Sequence, residues 1–180
     1  MTIVFLVEEQ SMKVFLDIIL PRVLPSGVDF ITVPHEGKSD LRKSVPIKLS
    51  SWNVPDTKFM IIQDQDSNDC HALKEDLLSL ADKHDKEVVV RIACHELEAW
   101  YFGDLQAVSK AFGKDLSGLA NKRKYRNPDS IISPKHELKG FIPELEQISG
   151  AKKIAPFIDV SHNTSTSFNA FLAGIKKLIG

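Results

Sequence analysis

The run Phe59-Met60-Ile61-Ile62, closing in Gln63-Asp64-Gln65-Asp66, constrains the fold more than any other stretch of the chain. An uninterrupted apolar segment of this length reads as a strand buried on both faces, the pattern of a parallel sheet. It ends by delivering carboxylates to the edge of that sheet. If extended structure continued as far as Asp66, the two-residue side-chain period would project Asp64 and Asp66 the same way, with Gln65 opposite. Two carboxylates held together repel unless a proton or a hard cation lies between them. Taken alone, however, the stretch is better read as a polar turn in which Asp64 and Asp66 join Ser67, Asn68 and Asp69 ahead of a helix that begins near His71.

Two other runs are read as buried strands, Ile3 to Val7 and Val88 to Cys94, and a further strand is expected at Val28 to Val33. Helical patterns separate them. One spans about Met12 to Leu20, with Ser11 as N-cap and Pro21 or Pro25 as its limit; a second starts near Ser39 and is expected to break at Pro46; a third spans His71 to His84. Strands alternating with helices predict an α/β fold with a mainly parallel central sheet flanked by helices, joined by right-handed crossovers. Ligands of such sheets collect at the carboxyl ends of the strands, where Glu8, Asp64, Asp66 and the acids after Cys94 would lie. Beyond Leu105 the pattern becomes helical, with segments at Ala107 to Phe112, Pro134 to Gln147 and Ser167 to Ile179. No flexible linker precedes them, so residues 1–104 read as an α/β core and residues 105–180 as a C-terminal helical elaboration packed on it, within one domain.

With 43% apolar residues among 180, the chain can build a substantial core, and its net charge of -1 gives no global basic field. Two cysteines, Cys70 and Cys94, are too few for a disulfide framework, and the short apolar start running into Glu8-Glu9 does not read as a signal peptide. A cytoplasmic setting is therefore expected. No stretch approaches the ~20 apolar residues of a membrane span, so no membrane association is expected.

Individual candidates differ in weight. Glu98 sits inside Leu97-Glu98-Ala99-Trp100-Tyr101-Phe102, where an unpaired carboxylate is costly to bury, so it needs a metal ion, a basic side chain such as Arg91, or a backbone cap. His95-Glu96 does not open a zinc-protease motif, because Ala99 occupies the place of the second histidine. Gly37-Lys38-Ser39 lacks the upstream glycine of a phosphate-binding loop. Basic candidates for an anionic substrate are Lys38, Arg42 and Lys43, together with Lys122-Arg123-Lys124-Tyr125-Arg126, where Tyr125 could add a base or sugar contact. Ser165, Ser167, Phe168 and Phe171 read as an N-cap followed by a buried helix face.

Glu8 after the first strand, Asp64-x-Asp66 after a later one, and Glu98-Ala99-Trp100 after the next together resemble the Toprim fold. More narrowly, the chain resembles the family catalogued as domain of unknown function 4276. That likeness rests on Val7-Glu8, Gly37-Lys38 with Leu41, Asp64-x-Asp66 with Cys70, Leu97-Glu98-Ala99-Trp100, Asn127-Pro128-Asp129 with Ser133-Pro134-Lys135, and Ser167-Phe168 with Phe171. The resemblance implies a divalent-metal site, Mg²⁺ or Mn²⁺, formed by Glu8, Asp64 and Asp66, the positions that match the acidic motif of topoisomerases, primases and overcoming-lysogeny-defect nucleases. Glu98 matches an acid similar to one in Toprim-like proteins of bacterial anti-phage systems, which implies a protein partner in a defence system. One departure is Glu9, which stands where many Toprim chains carry glycine and where a close backbone approach to phosphate would need one.

The expectation that follows is a metal-dependent nuclease or phosphoryl-transfer protein acting on nucleic acid. Glu8 and Glu98 are its catalytic acids, and Lys38 or Arg42 neutralises substrate phosphate. Two alternatives stand beside it. One is a non-catalytic nucleic-acid or nucleotide-binding component of a larger complex. The other is a small-molecule α/β enzyme using Glu98 as acid or base.

Overall fold

The computed structural model describes residues 1–180. Its sheet contains β1 (Thr2–Val7), β2 (Asp29–Pro34), β3 (Thr57–Asp64) and β4 (Val88–Ala93), all parallel, in the order β2-β1-β3-β4. The intervening helices are α1 (Gln10–Val23), α2 (Lys38–Ser51) and α3 (Cys70–Ala81). After β4 come α4 (Glu98–Phe102), α5 (Leu105–Phe112), α6 (Pro134–Phe141), α7 (Gln147–Ile154) and α8 (Thr166–Ile179), with 3₁₀ turns between α5 and α6 and between α7 and α8. The expected α/β architecture with a parallel central sheet flanked by helices is therefore present. No helix is long and apolar enough to cross a membrane.

The apolar runs are strands because both faces of the sheet are covered. Ile3, Phe5, Val7, Met60, Ile62 and Val89 pack into a large core with α1 and α4 to α8. Val4, Leu6, Phe59, Ile61, Val90 and Ile92 face α2 and α3. Alternate residues of one strand thus enter different cores, which is why no polar alternation marks β1 or β3. The strand order reverses direction at β1: the chain leaves β1 for β2 on one side, then crosses to β3 on the other. Glu8 and Asp64 leave the sheet at this switch point, where neighbouring connections diverge and open a crevice.

Of the two prolines expected to limit α1, Pro25 does so: Pro21 lies within the last turn, and the helix closes at Leu24, whose N–H donates to Leu20 O. Pro46 does not break α2 as expected but lies inside it, where burial of Leu41, Val45 and Leu49 offsets the backbone bond that proline cannot make. Nor does Ser11 cap α1; Glu9 is the N-cap residue, and Ser11 Oγ instead donates to the Glu9 carboxylate. The helix expected from Pro134 to Gln147 covers only α6, and α7 begins at Gln147. Pro143 disfavours helical geometry at Ile142, whose φ of -130° and ψ of 81° end α6.

The C-terminal helices are tied to the sheet by one polar knot and one aromatic cluster. Ser165 caps α8 by accepting from the Phe168 N–H at 3.1 Å. Asp129 accepts from Ser165 Oγ at 2.7 Å, Ser167 N at 2.7 Å and Ser167 Oγ at 3.0 Å. Ser167 Oγ in turn accepts from Trp100 Nε1 at 2.9 Å and from the Cys94 amide at 3.3 Å. Trp100 lies against Phe15, Phe168 and Phe171, with ring centroids 5.2 to 5.7 Å apart. Such pairs contribute about 0.5–1.5 kcal/mol each beyond their burial. Asn127-Pro128-Asp129 and Ser167-Phe168, two of the motifs noted above, thus brace the loop after β4 and α4.

Candidate functional site

The site is assembled from the ends of β1, β3 and β4. Glu8 follows β1 directly and is 9% exposed. Its carboxylate accepts from the Asp64 amide at 3.2 Å, and its carbonyl accepts from the Gly37 amide at 3.0 Å, so β3 and the entry to α2 both hold it. Gly37 takes φ +98°, a conformation that favours glycine, and turns the chain so that Lys38 begins α2 beside the acids. Glu98, 5% exposed, is the first residue of α4. Tyr101 follows within the same helix, almost fully buried and with its hydroxyl lacking a hydrogen-bond partner; burial first, then the charges of Glu98 and Asp64, raise it well above its ordinary value.

Burial and mutual repulsion hold protons on these acids. Burial raises Glu8 to about 6, and the Asp66 and Glu9 charges add to it, against the Asp64 amide and Lys38. Asp64 as a residue keeps some surface, but its carboxyl group is enclosed by protein. Burial first, then Glu98, Glu8, Glu9 and Asp66, raise it well above the carboxylate range. Glu98 is raised to about 7 by burial, with Glu96 adding and its own amide and Lys135 opposing. The cluster therefore takes up protons near neutrality or, equally, a cation in their place.

Asp66 does not continue β3, which ends at Asp64. It adopts φ +51°, so the same-side projection expected for Asp64 and Asp66 does not occur. Its N–H donates to His95 O at 2.8 Å, and His95, itself at φ +59°, places Nδ1 2.8 Å from Asp66 O. Two residues in left-handed geometry thus interlock the exits of β3 and β4, a strained arrangement of the kind that clusters at functional sites. The Asp66 carboxylate pairs with Lys38 Nζ at 2.7 Å. Helix α3 is capped by Asp69, which accepts from the Ala72 amide, rather than by Asp64 or Asp66.

The structure therefore gathers Glu8, Asp64, Glu98 and the Lys38–Asp66 pair at one edge. Arg42 is engaged elsewhere, by Asp76 of α3 at 2.6 Å. Tyr125 is 8% exposed, stacks on Phe102 at 5.3 Å and donates to Glu137, so the base or sugar contact considered for it is not open. Glu9 has ordinary extended backbone, φ -136°, and needs no glycine. Its carboxylate is drawn aside by Gln147 Nε2 at 2.9 Å. Tyr101 and Lys135 were missed as site residues: a tyrosine in an apolar run looks like core, and Lys135 reaches Glu98 only because α6 folds back, its amide donating to Glu96 Oε2 at 2.9 Å.

Whether the residues suit a divalent ion can be judged from the donors. They are carboxylates and a phenolic hydroxyl, hard oxygens suited to Mg²⁺ or Mn²⁺. The unpaired, buried Tyr101 hydroxyl is a second sign of a missing partner. No group of three His, Cys, Asp or Glu side chains is placed to hold a metal ion. The donor chemistry suits such an ion, but the side chains do not converge on a common point. A surface depression of about 410 Å³ lies elsewhere, lined by Asp104, Asp159 and His162 among others. A smaller one of about 310 Å³ adjoins the acids through Glu9 and Gly37.

Fold and site together define a parallel α/β protein with a buried acidic cluster at the switch point of its sheet. The chain belongs to the family described as Domain of unknown function (DUF4276), whose model matches residues 7–176. No curated protein and no solved structure matches it.

Proposed function

We propose that this is a Toprim-like, divalent-cation-dependent phosphodiesterase or phosphoryl-transfer protein acting on nucleic acid. The observation that carries the reading is the convergence of Glu8, Asp64 and Glu98, with the Lys38–Asp66 pair, at the switch point of a parallel sheet. Glu8, Asp64 and Asp66 would hold Mg²⁺ or Mn²⁺. A cation bound there supplies neutralisation of phosphoryl and leaving-group oxygens.

The chain's own residues have distinct tasks in this reading. Glu8, held by the Asp64 amide, would share the cation or act as general base toward water. Glu98 fixes the charge balance next to Asp64. Lys38 exchanges Asp66 for a substrate phosphate, freeing the carboxylate as the anion arrives. Lys135, beside Glu98, gives a second cation for an extended anionic chain.

The test is incubation of purified protein with plasmid DNA and with RNA in the presence of Mg²⁺ or Mn²⁺. Cleavage that disappears in an Asp64→Ala/Asp66→Ala variant is expected. Undiminished cleavage by that variant removes the mechanism. Binding without cleavage by the native protein selects the second reading, a non-catalytic nucleic-acid or nucleotide-binding component of a larger complex. The absence of a closed three-residue ligand set favours that reading.

A further inference from the structure

The chain has two cysteines, and the fold brings both to one groove. Cys94 is the first residue beyond β4, and Cys70 is the first of α3. They meet because the exits of β3 and β4 are tied together. The Gln65 amide donates to Ala93 O at 2.9 Å and the Asp66 amide to His95 O at 2.8 Å, while the turn closes through the Asn68 N–H to Gln65 O at 3.0 Å. Helix α3 therefore starts against the end of β4. Both cysteines are partly exposed on the wall of a groove of about 220 Å³ between α3 and α8, which Lys74 and Arg91 also line. The two thiols share a hydrogen bond. Neither is among the fully buried residues of a hydrophobic core, where a free cysteine serves packing alone.

From this arrangement we propose that Cys70 and Cys94 form a reversible disulfide by exchange with an anionic low-molecular-weight disulfide such as glutathione disulfide. In the first step the Cys70 thiolate attacks one sulfur of the reagent, the reagent's S–S bond breaks, and one thiolate leaves and takes up the proton that Cys70 gave. In the second the Cys94 sulfur attacks Cys70, the mixed disulfide breaks, and the second reagent thiol departs with the Cys94 proton. The protein loses two electrons and two protons, and the reagent gains both. The order of attack follows from the surroundings. Burial raises both thiols, Cys94 to about 11 with Asp129 and Cys70 adding; at Cys70, where Asp69 adds, Lys74 and the hydrogen bond from Cys94 oppose the rise. Lys74 and Arg91 place positive charge on the wall where an anionic reagent arrives. The bridge would staple the start of α3 to the end of β4 and so constrain the unfolded chain. None of this requires a cation in the acidic cluster.

The test is incubation of the folded native protein with glutathione disulfide, followed by alkylation of remaining thiols and by intact-mass and peptide mapping. The expected product is a monomer lighter than the unreacted chain by two hydrogen atoms, free of glutathione and alkyl groups, and returned to the dithiol by dithiothreitol. Cys94→Ser should stop at glutathione held on Cys70, and Cys70→Ser should take up glutathione about tenfold more slowly than Cys94→Ser. Oxidised native protein should unfold at a higher urea concentration than reduced protein, because the bridge fits the fold as it stands. Native protein that stays reduced, retains glutathione or forms disulfide-linked dimers overturns the pairing, as does a bridge that fails to raise the urea midpoint. Uptake by Cys70→Ser as fast as by Cys94→Ser, or faster, overturns Cys70 as the attacking thiol.

Discussion

The Asp64 amide donates to the Glu8 carboxylate at 3.2 Å, joining the ends of β1 and β3 across 56 positions of sequence. One backbone bond thus locks two acids side by side, and Glu98 completes the crowd from α4. The result is a cluster that burial and like charge both push toward the neutral form. Its behaviour without a cation is therefore a stability question before it is a catalytic one.

Glu98→Gln should stabilise the cation-free protein at pH 8 and change it little at pH 5. Glu98 is raised to about 7, so at pH 8 the native residue is ionised in a place that disfavours charge, and the amide removes that cost. A gain of about 1–3 kcal/mol is expected in urea unfolding. A variant that loses stability at pH 8 would mean that Glu98 has an ion partner in solution.

The same shifts give the native protein a stability that falls with rising pH. Glu8 and Glu98 bind protons more tightly folded than unfolded, at about 6 and about 7 against 4.5. The folded chain thus takes up protons in that window, and stability declines as pH climbs through it. The contribution is complete below about 4.5 and gone above about 7; for Glu98 alone it amounts to about 3 kcal/mol. Mg²⁺ or Mn²⁺ should stabilise more at pH 8 than at pH 5, because the ion meets ionised acids only at the higher pH. Denaturant midpoints at four pH values with and without cation measure this. A midpoint that rises steadily from pH 5 to 8 without cation contradicts it.

How much of this was legible in the sequence follows from range. β1, β3 and β4 were readable because burial on both faces leaves apolar runs, broken in β4 only by Arg91, and the cap at Ser165 because its partner amide is three residues away. The left-handed turn at Asp66 was not, since its partner His95 lies 29 positions on. Tyr125 looked like an open basic segment, yet Glu137, 12 positions on, and Phe102 close over it. Arg42 looked free because Asp76 meets it only when α2 packs beside α3. The acids were legible as strand ends, but their proton-holding state depends on Glu8, Asp64 and Glu98 meeting in space.

Lys38→Ala should separate binding from stability. The Lys38–Asp66 pair is 51% and 40% exposed, so it contributes at most about 1 kcal/mol to folding. If Lys38 trades Asp66 for a phosphate, the variant should bind a labelled oligonucleotide about tenfold more weakly, the value of one charge-assisted hydrogen bond. Fluorescence anisotropy in low salt measures this. Unchanged affinity would remove Lys38 from substrate recognition.

Gly103→Ala should be among the most damaging single-atom additions to the chain. A Cβ there would lie 2.0 Å from Asn163 Oδ1 and 2.9 Å from the Ser165 amide nitrogen. Asn163 cannot step aside, because Nδ2 donates to Trp100 O at 2.9 Å and Oδ1 accepts from that same Ser165 amide at 2.9 Å. Ser165 caps α8, and α8 carries the Ser167 that braces Trp100 and Cys94. The clash therefore loosens the C-terminal helix from the loop behind the acidic cluster, at an expected cost of about 3 kcal/mol. Gly118→Ala, where a Cβ meets nothing within 4 Å, serves as the control and should stay within about 0.5 kcal/mol of native. Hydrogen exchange supplies the location: α8 amides should exchange faster in Gly103→Ala while those of β1 and β3 stay protected. Equal exchange in α8 for the two variants would show that the Gly103–Asn163 contact does not hold α8 in place.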